Sequence, residues 1–104
     1  MHFIPHIDLK LPIPTLRELS NLQFVDWFSL GLELDVEEYE LEVIEMNHPA
    51  NTKRCKAEMF ATWLKTDLDA SWGKLAIAFA AIGKVDLAVD LCIEYGKFVM
   101  TILL

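Results

Sequence analysis

Three histidines and two cysteines are the residues of this 104-residue chain best suited to metal or nucleophilic chemistry. His2 and His6 stand four apart, but Pro5 lies between them and no third ligand is near, so a helical metal pair is not expected. Cys55 and Cys92 are far apart with no C-x-x-C, which reads as neither a disulfide framework nor a zinc ribbon. Both fall among apolar residues at helical spacing, the pattern of buried small hydrophobes in a reducing compartment, and the expected location is cytoplasmic. His48 precedes Pro49 and reads as a polar turn residue. Ser, His and Asp all occur, yet no nucleophile elbow, phosphate loop or H-E-x-x-H element is found. The expectation is no catalytic residue, no metal, no cofactor and no enzyme.

Charge is the more informative chemistry. Sixteen Asp and Glu against nine Lys and Arg give a formal charge of −7. Phosphate backbones and anionic lipid repel such a chain, so nucleic acid is not an expected partner. The charge is also unevenly placed. Glu33, Asp35, Glu37, Glu38, Glu40, Glu42 and Glu45 are seven acids without an intervening base, followed shortly by Lys53, Arg54 and Lys56. Single acids on a helix exterior are ordinarily just solvated, and near a helix start they favour its dipole. The run as a whole is denser than solubility requires. The three bases sit at a predicted helix start, where the dipole disfavours cations, and this points to a binding role. Acidic Glu37, Glu38, Glu42 and Glu45 on one face and basic Lys53, Arg54 and Lys56 on another could pair head to tail between copies.

These residues need a scaffold, and the composition supplies one. At 54% hydrophobic and 11% aromatic, the chain excludes a disordered polar tail and suits one domain, which the five or six short helices read below, with no convincing strand, make all-α. Residues 1–14 read as an extended arm, because Pro5, Pro12 and Pro14 deny backbone donors and Ile7, Leu9, Leu11 and Ile13 alternate. Thr15 with Glu18 is a capping box for a first short helix carrying Leu16, Leu19 and Leu22. Asp26 opens a piece with Trp27, Leu30, Gly31 and Leu34. Asp35 with Glu38 reads as a second capping box, with Val36, Tyr39, Val43 and Ile44 on one face of a helix that ends by His48. Leu41 and Met46 fit that face poorly and are either shielded by neighbours or exposed as contact points. Asn51 or Thr52 caps a helix that turns Cys55, Met59, Phe60, Trp63 and Leu64 inward, and 66–70 is a loop. Ser71 caps a helix through Ile82 that stops at Gly83. Asp86 lies in the first turn of a last helix with Leu87, Ala88, Leu91, Cys92 and Tyr95. Residues 96–104 form an apolar tail whose run Phe98–Leu104 is far below the ~20 residues of a membrane span. No signal peptide is read in MHFIPHIDLK.

The order Trp27-x-x-Leu30-Gly31-x-x-Leu34, Tyr39…Val43-Ile44-Glu45-x-Asn47, Met59-x-x-x-Trp63-Leu64 and Trp72-x-x-Leu75…Ile82-Gly83-x-x-x-Leu87-Ala88 resembles a death domain over residues 15–95. The first helix is short for that pattern, and the arm and tail lie outside it. The resemblance implies a six-helix antiparallel Greek-key bundle and homotypic binding: self-association or recruitment of another death domain into a higher-order assembly in signalling of apoptotic or innate-immune type. It also implies a second contact type through the loops holding Asp67 and Asp69 and holding Lys84 and Asp86. The rival reading is a structural bundle that docks inside a larger protein through its apolar termini.

Overall fold

The computed structural model describes residues 13–95, which contain six helices and no strand. They are α1 (Leu16–Ser20), α2 (Trp27–Glu33), α3 (Glu38–Asn47), α4 (Thr52–Thr66), α5 (Trp72–Ala81) and α6 (Val85–Tyr95). This is the all-α architecture that the periodicity predicts. The arm up to residue 12, with His2 and His6, and the tail 96–104 lie outside the described residues. The described residues from Pro14 on divide into two compact units, Pro14–Ala70 and 71–95.

In the Pro14–Ala70 unit, α4 is the element on which α1, α2 and α3 all pack. Its Cys55, Met59, Phe60 and Trp63 repeat at helical spacing and are buried, as the sequence predicts. Leu64 is only half-buried. Asn51 supplies the start: its side-chain oxygen accepts from the Arg54 N–H at 3.1 Å. The capping box at α1 is present, with Thr15 Oγ1 accepting from the Glu18 N–H at 3.2 Å and Glu18 Oε1 accepting from the Thr15 N–H at 3.1 Å.

The helix α3 departs from expectation at both its start and its face. Asp35 does not cap it: the residue takes a left-handed φ of 63°, and the helix begins at Glu38 with Glu37 as an extended N-cap that makes no side-chain bond. The cause is the tight reversal after α2, where the Val36 N–H reaches back to the Gly31 carbonyl at 2.9 Å. Leu41 and Ile44 turn inward and Val36 is buried just before the helix, but Tyr39 and Val43 do not share their face and are exposed. Of the pair left open by the pattern, Leu41 is fully buried and Met46 is exposed.

In the second unit α5 and α6 pack against each other. Ser71 caps α5, its hydroxyl accepting from the Lys74 N–H at 3.1 Å. The Trp72 ring, fully buried at the start of α5, stacks on Tyr95 at the end of α6 with centroids 3.7 Å apart and planes parallel within 1°. Gly83 ends α5 with φ of 86°, and the Lys84 N–H bonds back to the Phe79 carbonyl at 2.8 Å. Ala88, Leu91 and Cys92 turn inward from α6, whereas Leu87 and Tyr95 are half-buried.

Candidate protein-interaction surface

The acidic run lies on the surface. Glu33, Asp35, Glu37, Glu38, Glu42 and Glu45 are exposed, and Glu40 is half-buried. On the turn of α3, Glu38, Glu42 and Glu45 follow at steps of four and three and share one side, whereas Glu37 precedes the helix. Their local role is modest: Glu38 and Glu40 occupy the first turn, where carboxylates favour the dipole. No Lys or Arg stands on α3 to pair with them.

The three bases separate. Lys53 and Arg54 are exposed at the start of α4. Arg54 Nε is held by Glu58 Oε2 at 3.0 Å, an exposed i,i+4 pair of the kind that contributes about 0.3–0.5 kcal/mol. Lys56 belongs elsewhere. It is 6% exposed, its ammonium donates to the Leu22 carbonyl, and the charge lies 5.3 Å from the centroid of Phe24. Burial, reinforced by the nearby Lys53, pushes the Lys56 ammonium below the usual lysine range. The grouping of Lys56 with Lys53 and Arg54 therefore needs correcting: this cation clamps the α1–α2 connection onto α4 and is not presented to a partner. Its position is in fact legible in the spacing, since Lys56, Met59, Phe60 and Trp63 follow the i, i+3, i+4, i+7 pattern of one helix face.

Two depressions flank Lys53 and share Ser20 of α1. One, of about 360 Å³, is lined by Asn21, Gln23, Phe24, Thr52 and Lys56. The other, of about 350 Å³, is lined by Asn51, Arg54 and Ala57. The surface at the head of α4 is thus concave and cationic.

The loop residues split as well. Asp67 is half-buried, with Oδ2 accepting from the Trp63 indole N–H at 3.2 Å and Oδ1 accepting from the Asp69 N–H at 2.9 Å. It ties the α4–α5 loop to the end of α4. Asp69 itself is exposed, as is Asp86 in the first turn of α6, while Lys84 is half-buried.

Sequence reasoning leaves Met46 open as an exposed contact point but places Tyr39 and Val43 on the inward face. Tyr39, Val43 and Met46 are all exposed, on the side of α3 opposite Leu41 and Ile44. The signal was the excess of apolar positions on α3 over what one buried face can use. The two thiols are structural. Cys55 donates to the His48 carbonyl at 3.3 Å, and burial, with the charge of Glu45 adding to it, pushes its thiol up. Burial does the same to Cys92. Among the described residues no three His, Cys, Asp or Glu gather as metal ligands, and no helix is long and apolar enough to cross a membrane.

The family model of the death domain matches residues 15–93. The chain belongs to the death-domain family. No curated protein and no solved structure matches it. Death domains are protein–protein interaction modules.

Proposed function

We propose that this death domain self-associates or recruits another death domain into a higher-order signalling assembly in the cytoplasm, in pathways of apoptotic or innate-immune type. The observation that carries the reading is the segregation of exposed charge within one compact unit. Glu37, Glu38, Glu42 and Glu45 lie on and before α3, and Lys53 and Arg54 lie on the head of α4. The acidic surface of one copy meets the basic head of the next. Because the two surfaces differ, the contact is heterologous and propagates instead of closing on itself. Each contact is weak and steered by charge, and multiplicity turns it into a stable assembly. Further contact residues are Asp69, on the loop that Asp67 holds, and separately, in the other unit, Lys84 and Asp86.

The test is the double reversal Lys53→Glu with Arg54→Glu. Both positions are exposed and at a helix start, where acids suit the dipole, so helical circular dichroism stays as in the wild type. Sedimentation is expected to show oligomers, or capture of a partner death domain, lost in the variant and weakened by salt in the wild type. Assembly that survives the reversal sinks the reading.

A further inference from the structure

Tyr39, Val43 and Met46 are 65%, 49% and 77% exposed, although α3 already buries Leu41 and Ile44 on its other side. At 100° per residue the three fall within about 60° of one another, and that row lies diametrically across the helix from the buried one. Their spacing of four then three is that of a two-helix seam. The row is bordered by Glu42 and Glu38 on one side and by half-buried Glu40 on the other. A solvated helix face would carry polar residues here; a large apolar row with a charged border marks a binding surface.

From this geometry we infer that the outward face of α3 docks an amphipathic helix of a partner protein, one with an apolar seam bordered by Lys and Arg. Charge selects the occupant. The border of the row is acidic and α3 carries no base, so a cationic helix is attracted and an acidic one is repelled. Among the described residues a second copy of this chain offers a poor match. No large apolar residue of α4 is exposed beside Lys53 and Arg54. On α1 and α5, single cations (Arg17, Lys74) accompany single exposed aliphatic residues (Leu16, Ile77). None of these presents a row of three with cations along it. The ten residues of α3 extend only about 15 Å, so the contact is small and transient, and because it shares Glu38 and Glu42 with the charged pairing proposed above, the two alternate on a given α3.

The probe is a stapled peptide of about two heptads with Leu at the seam and Lys at the flanks, labelled for fluorescence anisotropy and titrated with the full chain. Binding is expected for this peptide and lost for the same peptide with Glu at the flanks. Replacing Tyr39, Val43 and Met46 together by Ser is expected to weaken binding by about tenfold or more, with unchanged thermal unfolding because all three are exposed. The Lys53→Glu, Arg54→Glu variant is expected to bind the peptide as the wild type does, so failure of the charged-pairing reading leaves this one standing, and the reverse. Equal binding by the triple Ser variant overturns the inference, since charge alone would then explain it. Absence of binding to the wild type overturns it too. So does loss of self-association in the triple Ser variant, which would make the row a contact between copies.

Discussion

A Cβ placed on Gly31 would stand 2.7 Å from Leu41 Cδ2 and 3.1 Å from Met59 Cγ. Gly31 is therefore where α2 meets α3 and α4 at backbone distance, which explains the glycine of the W-x-x-L-G element. Leu41 and Met59 are both fully buried and can yield only by disturbing the core. Gly31→Ala gains about 1 kcal/mol of helix propensity and loses about 1–3 kcal/mol to overpacking. The expected net is a loss of about 1 kcal/mol, read as a lower denaturant midpoint at unchanged slope. A more stable Gly31→Ala protein would show that the approach is not as close as this.

Gly83 is required for the opposite reason. An added Cβ would meet nothing within 4 Å, but its φ of 86° is one that L-residues rarely adopt. Gly83→Ala is expected to cost about 1–2 kcal/mol of backbone strain, and Gly83→Asn less, because Asn tolerates the left-handed region better. Thermal unfolding of the pair checks the order. At Gly31 the order reverses, the larger Asn being worse than Ala.

Lys56 gives the pH dependence. Its folded pKa lies below the ordinary lysine value of 10.5, so the unfolded chain binds that proton more tightly than the folded one. Stability contributed by this group therefore rises with pH between its lowered value and 10.5, and falls again as pH drops through the lowered value. Comparing wild type with Lys56→Met isolates the effect from the cysteines, which are common to both. The expected result is a stability difference that shifts in favour of the wild type as pH is raised toward 10.5. Lys56→Glu is expected to cost about 3 kcal/mol or more by burying a carboxylate against the Leu22 carbonyl. Lys53→Glu, on the surface, is expected to cost almost nothing.

The contrast between Lys53 and Lys56 also shows which features were legible. Caps are local, and Thr15, Asn51 and Ser71 each bond a backbone N–H three residues on, as their identities announce. Asp35 with Glu38 carries the same signature and fails. The reversal anchored on Gly31 claims Asp35 for a left-handed turn, and no local pattern reports that claim. The inward face of α3 differs from the expected one for a related reason. With apolar residues on two opposite sides, periodicity cannot say which side meets α4, and the packing of Leu41 under Gly31 decides it. The exposed acids and Lys53 with Arg54 were readable from charge alone. Polar residue type points Lys56 and Asp67 to the surface; the helical spacing of Lys56 with Met59, Phe60 and Trp63 already places it inward, although its Leu22 partner is remote in sequence, and Asp67 is held by an indole one turn back.

Cys55 and Cys92 are expected to resist thiol reagents in the native protein. Both are buried, and both have pKa values raised above 9.0, which suppresses the reactive thiolate. Labelling with a chromogenic disulfide should be slow at neutral pH and accelerate with denaturant in step with unfolding. The same shifts make stability fall as pH rises from 9.0 toward the folded values, because only the unfolded thiols ionise there. Rapid labelling of either thiol in the absence of denaturant would contradict the burial.

Asp67 and Asp69 separate fold from binding within one loop. Asp67→Ala removes the acceptor of both the Trp63 indole and the Asp69 amide, and leaves the part-buried indole N–H without its partner. The expected cost is about 1–3 kcal/mol, with a change in tryptophan emission as Trp63 loses its hydrogen bond. Asp67→Asn keeps a carbonyl oxygen to accept one of the two and is expected to recover about half of that. Asp69→Lys touches an exposed carboxylate and is expected to leave unfolding within about 0.5 kcal/mol of the wild type. If Asp69 belongs to the second contact, this reversal still weakens assembly, and sedimentation reads the loss with stability held constant. A protein destabilised by Asp69→Lys and indifferent to Asp67→Ala would invert the assignment of the two carboxylates.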